Sequence, residues 1–231
     1  MKKILVVIGV IVGFTPVAIA IDDSYFQSWN NISIVGNLGV IDPQYSKFRY
    51  DLTYQFRYAD SSPTSFQTLY RGGLGYSLNS KHSLWLGADY IVNRNVVSEE
   101  VNTSGVWQQY LYENNYKELK YFFRSRFEQL IIPDSNYLTL RARIMVRGSH
   151  PISESKRWSI IGSNEYFQNL NGTGTIENAT LIQNRAYAGL GYGFNKNINL
   201  EVGYMNQYIH NTQGFDYLNN ILFTSLVLNF N

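Results

Sequence analysis

Tyr137-Leu138-Thr139-Leu140-Arg141-Ala142-Arg143-Ile144-Met145-Val146-Arg147-Gly148 alternates residue by residue. Leu138, Leu140, Ala142, Ile144 and Val146 fall on one face, and Tyr137, Thr139, Arg141, Arg143, Met145 and Arg147 on the other. Successive side chains of a strand point to opposite faces, so this spacing predicts a strand with one apolar face and one arginine-bearing face. The pattern recurs on both sides of it. In Lys120–Leu130, Tyr121, Phe123, Ser125 and Phe127 oppose Lys120, Arg124, Arg126 and Glu128. In Tyr50–Tyr58, Tyr50, Leu52, Tyr54, Phe56 and Tyr58 oppose Asp51, Thr53, Gln55 and Arg57. In Ile198–Tyr208, Glu201 opposes Leu200, Val202 and Tyr204. Similar runs lie near 24–36, 66–78, 82–93, 105–113, 157–168, 181–194 and 219–230. Helical periodicity is not sustained after residue 20, and the chain reads as all-β.

An internal repeat supports hairpins. Gly73-Leu74-Gly75-Tyr76-Ser77-Leu78-Asn79 matches Gly189-Leu190-Gly191-Tyr192-Gly193-Phe194-Asn195, and the correspondence reaches Gly87 and Gly203 without a gap. Small residues on one strand face permit curvature or the close approach of another group. Connections alternate in length: short near Asn79–His82, Glu113–Lys117 and Asn195–Asn197, longer and polar near Asn93–Gly105, Gln168–Leu181 and Ile209–Asn219. Membrane barrels segregate short turns and long loops in this way.

The first 20 residues differ from the rest. Lys2 and Lys3 precede an apolar run from Ile4 to Phe14, Pro16 interrupts it, and Ala18-Ile19-Ala20 fits a cleavage site. The run is shorter than the ~20 residues of a spanning helix. Residues 1–20 are therefore expected to be a cleaved export signal, and 21–231 a single barrel domain. The chain carries 19 Lys+Arg and 17 Asp+Glu, so without Lys2 and Lys3 the charges balance, which argues against nucleic acid as a partner. It has no cysteine, which excludes disulfides and thiolate metal sites. Aromatic residues are abundant and charged residues, at 16%, fall below the roughly one quarter of soluble domains.

A soluble sandwich would also alternate. Three features favour a transmembrane barrel. Tyr50, Tyr58, Tyr90, Tyr112, Tyr121, Tyr204 and Tyr208 sit near strand ends on apolar faces, as interfacial girdles require. The runs exceed the usual soluble strand of about five or six residues. The C-terminal segment places Leu226, Leu228 and Phe230 on one face, resembling the signal by which the barrel-assembly machinery recognises its clients, with Asn231 after the Phe as a departure. Bacterial barrels normally have an even number of strands, so the expectation is about twelve, with ten next.

The chain also resembles the bacterial proteins grouped as domain of unknown function 2490, predicted outer-membrane barrels. Phe26-Gln27-Ser28-Trp29, Gly73-Leu74-Gly75-Tyr76, Trp85-Leu86-Gly87, Trp107-Gln108-Gln109, Arg124 to Gln129, Arg141-Ala142-Arg143, Asn184-Arg185 and Gly189-Leu190-Gly191-Tyr192 carry the likeness. It implies an outer-membrane location in contact with lipid and brings no catalytic residues.

The residues expected to share a lumen are Arg71, Arg124, Arg126, Glu128, Arg141, Arg143, Arg147, Glu165, Arg185 and Glu201. An unpaired buried charge is expensive, so Glu128, Glu165 and Glu201 are the expected partners of the arginines. Two uses follow: a lumen filled by an Arg–Glu network, or a small arginine-lined pore that favours anions. An outer-membrane enzyme acting on lipid or peptide is the next class, resting on His82, His150 and His210, the last beside Asp216. Ser83 adds nothing, because it faces away from His82. A surface protein binding through its loops is the third, and Asn171-Gly172-Thr173 and Asn178-Ala179-Thr180 fit glycosylation acceptors there. No metal-ligand spacing or nucleotide fingerprint occurs, and no cofactor is expected.

Overall fold

Each alternating run forms a strand in the computed structural model, which describes residues 23–59, 66–94, 101–131, 138–171, 181–211 and 215–231. The strands are β1 Asp23–Asn37, β2 Phe48–Ala59, β3 Gln67–Ser77, β4 His82–Asn93, β5 Val101–Tyr116, β6 Leu119–Ile131, β7 Leu138–Pro151, β8 Trp158–Asn169, β9 Leu181–Gly193, β10 Ile198–Asn211 and β11 Phe215–Phe230. Each pairs antiparallel with the next, and β1 closes the barrel by pairing parallel with β11, Trp29 opposite Phe223 and Asn31 opposite Ser225. Closure leaves no edge with unpaired backbone groups. The expected export signal and both glycosylation patterns extend beyond the described residues.

The barrel has eleven strands among the described residues, one fewer than the expected twelve. The even count presumes that first and last strands meet antiparallel. A parallel seam closes an odd number equally well, and puts Asp23 and Asn231 at opposite ends.

The short connections gather at one end: 78–81, 117–118 and 194–197, with 38–47 and 152–157. The connection 38–47 holds two single turns of 3-10 helix, Leu38–Val40 and Pro43–Tyr45, capped by the side chains of Asn37 and Asp42. The two copies of the sequence repeat turn identically. Asn79 Oδ1 accepts from the backbone N–H of Lys81 and His82 (2.9 and 3.1 Å), and Asn195 Oδ1 from Asn197 and Ile198 (2.8 and 2.9 Å). This local capping by asparagine sets a tight turn.

Three connections are shorter than their polarity suggests. Glu113–Tyr116 extends β5, Val101–Gly105 begins it, and Ile209–Asn219 is mostly strand. Polarity misleads here because a barrel's inner face is polar. Asn219, for example, donates to Gln207 and accepts from Gln27 inside the lumen (2.9 and 3.0 Å).

Burial is inverted relative to a water-soluble core. Leu74 and Leu86 on the outer face are 62% and 61% exposed, while Glu128 inside is 0% exposed. The glycines of the repeat make this interior possible. A Cβ on Gly73 would lie 2.5 Å from the Trp107 ring, and one on Gly75 at 2.5 Å from Trp85. Gly87 opposes Trp107 across the β4–β5 ladder, and a Cβ there would collide with the same ring. Gly87→Val is therefore expected to destabilise the barrel by about 1–3 kcal/mol, read as a lower urea midpoint with the slope unchanged.

Candidate functional site: the charged waist of the lumen

The register aims odd-numbered residues of β7, β8 and β9 and even-numbered residues of β6 into the lumen, so Arg126 faces Arg143, and Glu165 faces Arg185. Arg143 is the hub. Its Nη1 donates to Glu128 Oε1 (2.5 Å), and its Nη2 and Nε donate to Glu165 Oε1 (2.8 and 3.0 Å). Arg141 Nε donates to Glu128 Oε2 (2.7 Å) and Arg124 Nη2 to Glu165 Oε1 (2.6 Å). Two carboxylates thus bind three arginines, in charge-assisted bonds of the strong kind.

Arg126 is held differently. Its Nε and Nη2 donate to the neutral Gln109 amide (2.9 and 2.6 Å), its guanidinium lies 4.0 Å from the centre of the Trp107 ring, and Glu128 is 3.8 Å away. Arg71 makes a bidentate pair with Asp89, its Nε and Nη2 donating to the two oxygens (2.8 and 2.5 Å), and Asp89 also accepts from Trp107 Nε1 (2.8 Å). Arg185 is bracketed by Trp29 and Phe167 at 4.8 and 4.4 Å, and Arg57 stacks on the same Trp29 at 3.7 Å. Arg57 also donates to Gln55 and Gln67. With its amide oxygen turned inward, Gln183 accepts from Arg185 Nε and Nη2 (2.5 and 2.8 Å). Cation–π stacking of desolvated guanidinium on Trp is worth about 2 kcal/mol, and here it takes the place of missing carboxylates.

Of the ten residues expected in the lumen, Arg124, Arg126, Glu128, Arg141, Arg143 and Glu165 form one contiguous cluster. Arg71 lies beside it on Asp89, and Arg185 on its aromatic bracket. Arg147 pairs separately with Glu201, Nη2 to both oxygens at 2.6 Å, nearer the short connections. The expectation that three glutamates supply the partners needs correction: Asp89 is a fourth carboxylate, 4% exposed. Arg57, Trp29, Trp107 and Phe167 also belong to the waist and were absent from the expected set. Their signal was present: Arg57 shares a face with Asp51 and Gln55, and Trp107 shares one with Gln109.

Arginines outnumber carboxylates. Among the described residues, Asp89, Glu128 and Glu165 are the carboxylates within ion-pair distance of Arg57, Arg71, Arg124, Arg126, Arg141, Arg143 and Arg185 taken together. Among the described residues, Arg124 Nε and Arg126 Nη1 are buried without an acceptor.

The histidines are placed apart from this cluster. His82 Nδ1 lies 2.7 Å from Tyr110 Oη at the short-connection end. Ser83, its neighbour, faces the lumen and accepts from Trp85 Nε1 (2.8 Å). His210 is not in a loop: it stands opposite Asp216 in the β10–β11 ladder, with Nδ1 2.7 Å from Asp216 Oδ1, and Tyr208 Oη donates to Oδ2 (2.7 Å). His150 is on the outer face near the end of β7.

A family model described as a protein of unknown function (DUF2490) matches residues 26–219. Among curated proteins, none matches the chain. A solved structure of a loop L8 deletion mutant of OmpT, an outer membrane protein of Vibrio cholerae, is similar with 14% identity and a TM-score of 0.44. The match covers 75% of this chain and 56% of that one, so the chain spans little more than half the length of that protein.

Proposed function

The chain belongs to the DUF2490 family, whose description assigns no activity, and from that premise we propose a structural barrel of the bacterial outer membrane, sealed to solutes at its waist. The observation that carries this reading is the inverted burial. Leu74, Leu86, Leu52 and Ile160 are more than half exposed on the outer wall, while Glu128, Trp107, Trp29, Arg126 and Arg143 fill the inside and are at most 5% exposed. An apolar band of that extent is unfavourable in water and is satisfied by lipid tails. A closed wall meets the further demand that no backbone group be left unpaired in hydrocarbon.

Aromatic pairs support two interfacial belts. Phe48–Tyr76, Tyr112–Tyr121 and Trp158–Tyr192 lie beside the short connections, with ring centroids at 5.3, 6.3 and 4.7 Å. Phe56–Tyr58 lies toward the other end at 5.9 Å. Export by a cleaved signal at residues 1–20 and insertion by the barrel-assembly machinery, through the outward Leu226, Leu228 and Phe230, complete the reading.

The sealed lumen is favoured over an anion-passing pore because the arginines are engaged with carboxylates, amides and rings across the waist. Reconstituted in planar bilayers, the mature protein is expected to give no conductance steps. Steady anion-selective steps that shrink on Arg141→Ala or Arg143→Ala would establish the pore instead. Recovery in the inner rather than the outer membrane fraction of the expressing cell would sink the location.

A further inference from the structure

A cavity of about 1020 Å³ opens at the short-connection end of the lumen. The Arg147–Glu201 pair and Phe122 line it, with the filled waist beyond them. On the reading that the waist is sealed, the cavity is blind: something can bind there but not pass.

The connections at this end of the barrel are basic in a regular way. Each of the five connections at this end carries a lysine: Lys47, Lys81, Lys117, Lys156 and Lys196. Lys120 points inward from the start of β6. These are all the lysines after Lys3, and the connections at the opposite end contain none. Two are kept where the backbone resists them. Lys117 and Lys156 have φ of 54° and 55°, the left-handed region that glycine or asparagine adopts more cheaply.

Three carboxylates at this end are already engaged, and Asp42 and Glu154, on two of the connections, lie outside the cavity lining. Glu113 is bound by Arg49, Glu201 by Arg147, and Glu118 by Lys156 at 2.9 Å. The Lys156 hydrogen bond and charge hold the Glu118 carboxyl below the usual carboxylate range, so it stays anionic and neutralises that lysine. Among the described residues, Lys81 and Lys120, which line the cavity, have no carboxylate within 4 Å, and both are exposed. Asn115 and Ser149 line the same space with uncharged polar groups.

We propose that this vestibule binds a phosphate-bearing polyanion presented from the short-connection side. Ammonium groups act as point charges on phosphate, amides and hydroxyls supply further bonds to its oxygens, and two separated ammonium groups, Lys81 and Lys120, suit a ligand with more than one phosphate. The lysines at this end also raise the local anion concentration at the mouth, an effect that salt screens.

The test uses the mature barrel in discs of zwitterionic phosphatidylcholine, titrated with inorganic tripolyphosphate by calorimetry at low and at physiological salt. Saturable binding is expected, weaker in salt. The double variant Lys81→Gln/Lys120→Gln should weaken it about tenfold, while Lys47→Gln/Lys196→Gln, which removes equal charge away from the cavity, should change it less than threefold. No saturation at low salt, or equal weakening by both double variants, would overturn the site. A second arm replaces part of the lipid with phosphatidylglycerol. Competition that vanishes in Lys81→Gln/Lys120→Gln identifies lipid headgroups as the source of the phosphate, and unchanged titration identifies a soluble one. Conductance through the wild type would refute the seal but leave the titration result standing, so the two readings fail separately.

Discussion

Glu128→Gln lowers the stability of the refolded barrel by about 3–5 kcal/mol, measured as a shift of the urea midpoint in lipid discs. The substitution keeps the shape and one acceptor oxygen but removes the charge that faces Arg141 and Arg143 at 2.5 Å and Arg126 at 3.8 Å. The carboxylate is 0% exposed, so water does not replace it. Arginines already exceed carboxylates at the waist, and loss of one more anion leaves Arg141 and Arg126 with neutral partners only and Arg143 with Glu165 as its one carboxylate. A second substitution separates charge from packing. Arg143→Met in the Glu128→Gln background should recover part of the loss, because the pair shares one network and its effects are not additive. A midpoint within about 1 kcal/mol of wild type would mean that the waist arginines are hydrated and the lumen is not sealed.

Trp107→Ala is expected to do two things at once. Trp107 is 1% exposed, its indole N–H holds Asp89, and its ring lies against Arg126 and the spaces over Gly73 and Gly87. Truncating such a ring costs about 3–5 kcal/mol. Here the void is lined by Arg126 and Asp89 and fills with water, so the same variant should show conductance steps where the wild type is silent. A folded and silent Trp107→Ala barrel would assign the seal to the Arg143 network alone.

The alternation around Arg141, Arg143 and Arg147 made the sheet and the inward arginines legible, because period two is a purely local property of a strand. The outward placement of Tyr50, Tyr90, Tyr121 and Tyr204 was legible for the same reason. Which charges meet was not. Glu165 faces Arg185 in the ladder yet bonds Arg143, diagonal to it on β7, and Arg124, two strands away on β6, since long side chains reach past their ladder partners and alternation does not say which they reach. Asp89 was missed because its face in β4 also carries Trp85, Gly87 and Ile91 and reads as neither polar nor apolar. A narrow interior needs that mixture: a large ring, the glycine that makes room for it, and a charge that bonds it. The strand count depended on how the first and last strands meet, which is a global relation that alternation does not encode.

The parallel seam between β1 and β11 has a kinetic consequence. Every other ladder joins strands adjacent in sequence and can zip from a nearby turn. The seam joins residues such as Asn31 and Ser225, 194 positions apart. No hairpin can nucleate it, and pairings so distant in the chain are slow to form. Ten ladders can therefore assemble into a curled sheet with two open edges before the eleventh makes a cylinder. Until then the charged inner face stays accessible and both edges invite foreign strands. Rapid recruitment of the last strand by an assembly factor would shorten that interval, and a nascent chain stalled before β11 would be the species most prone to aggregate.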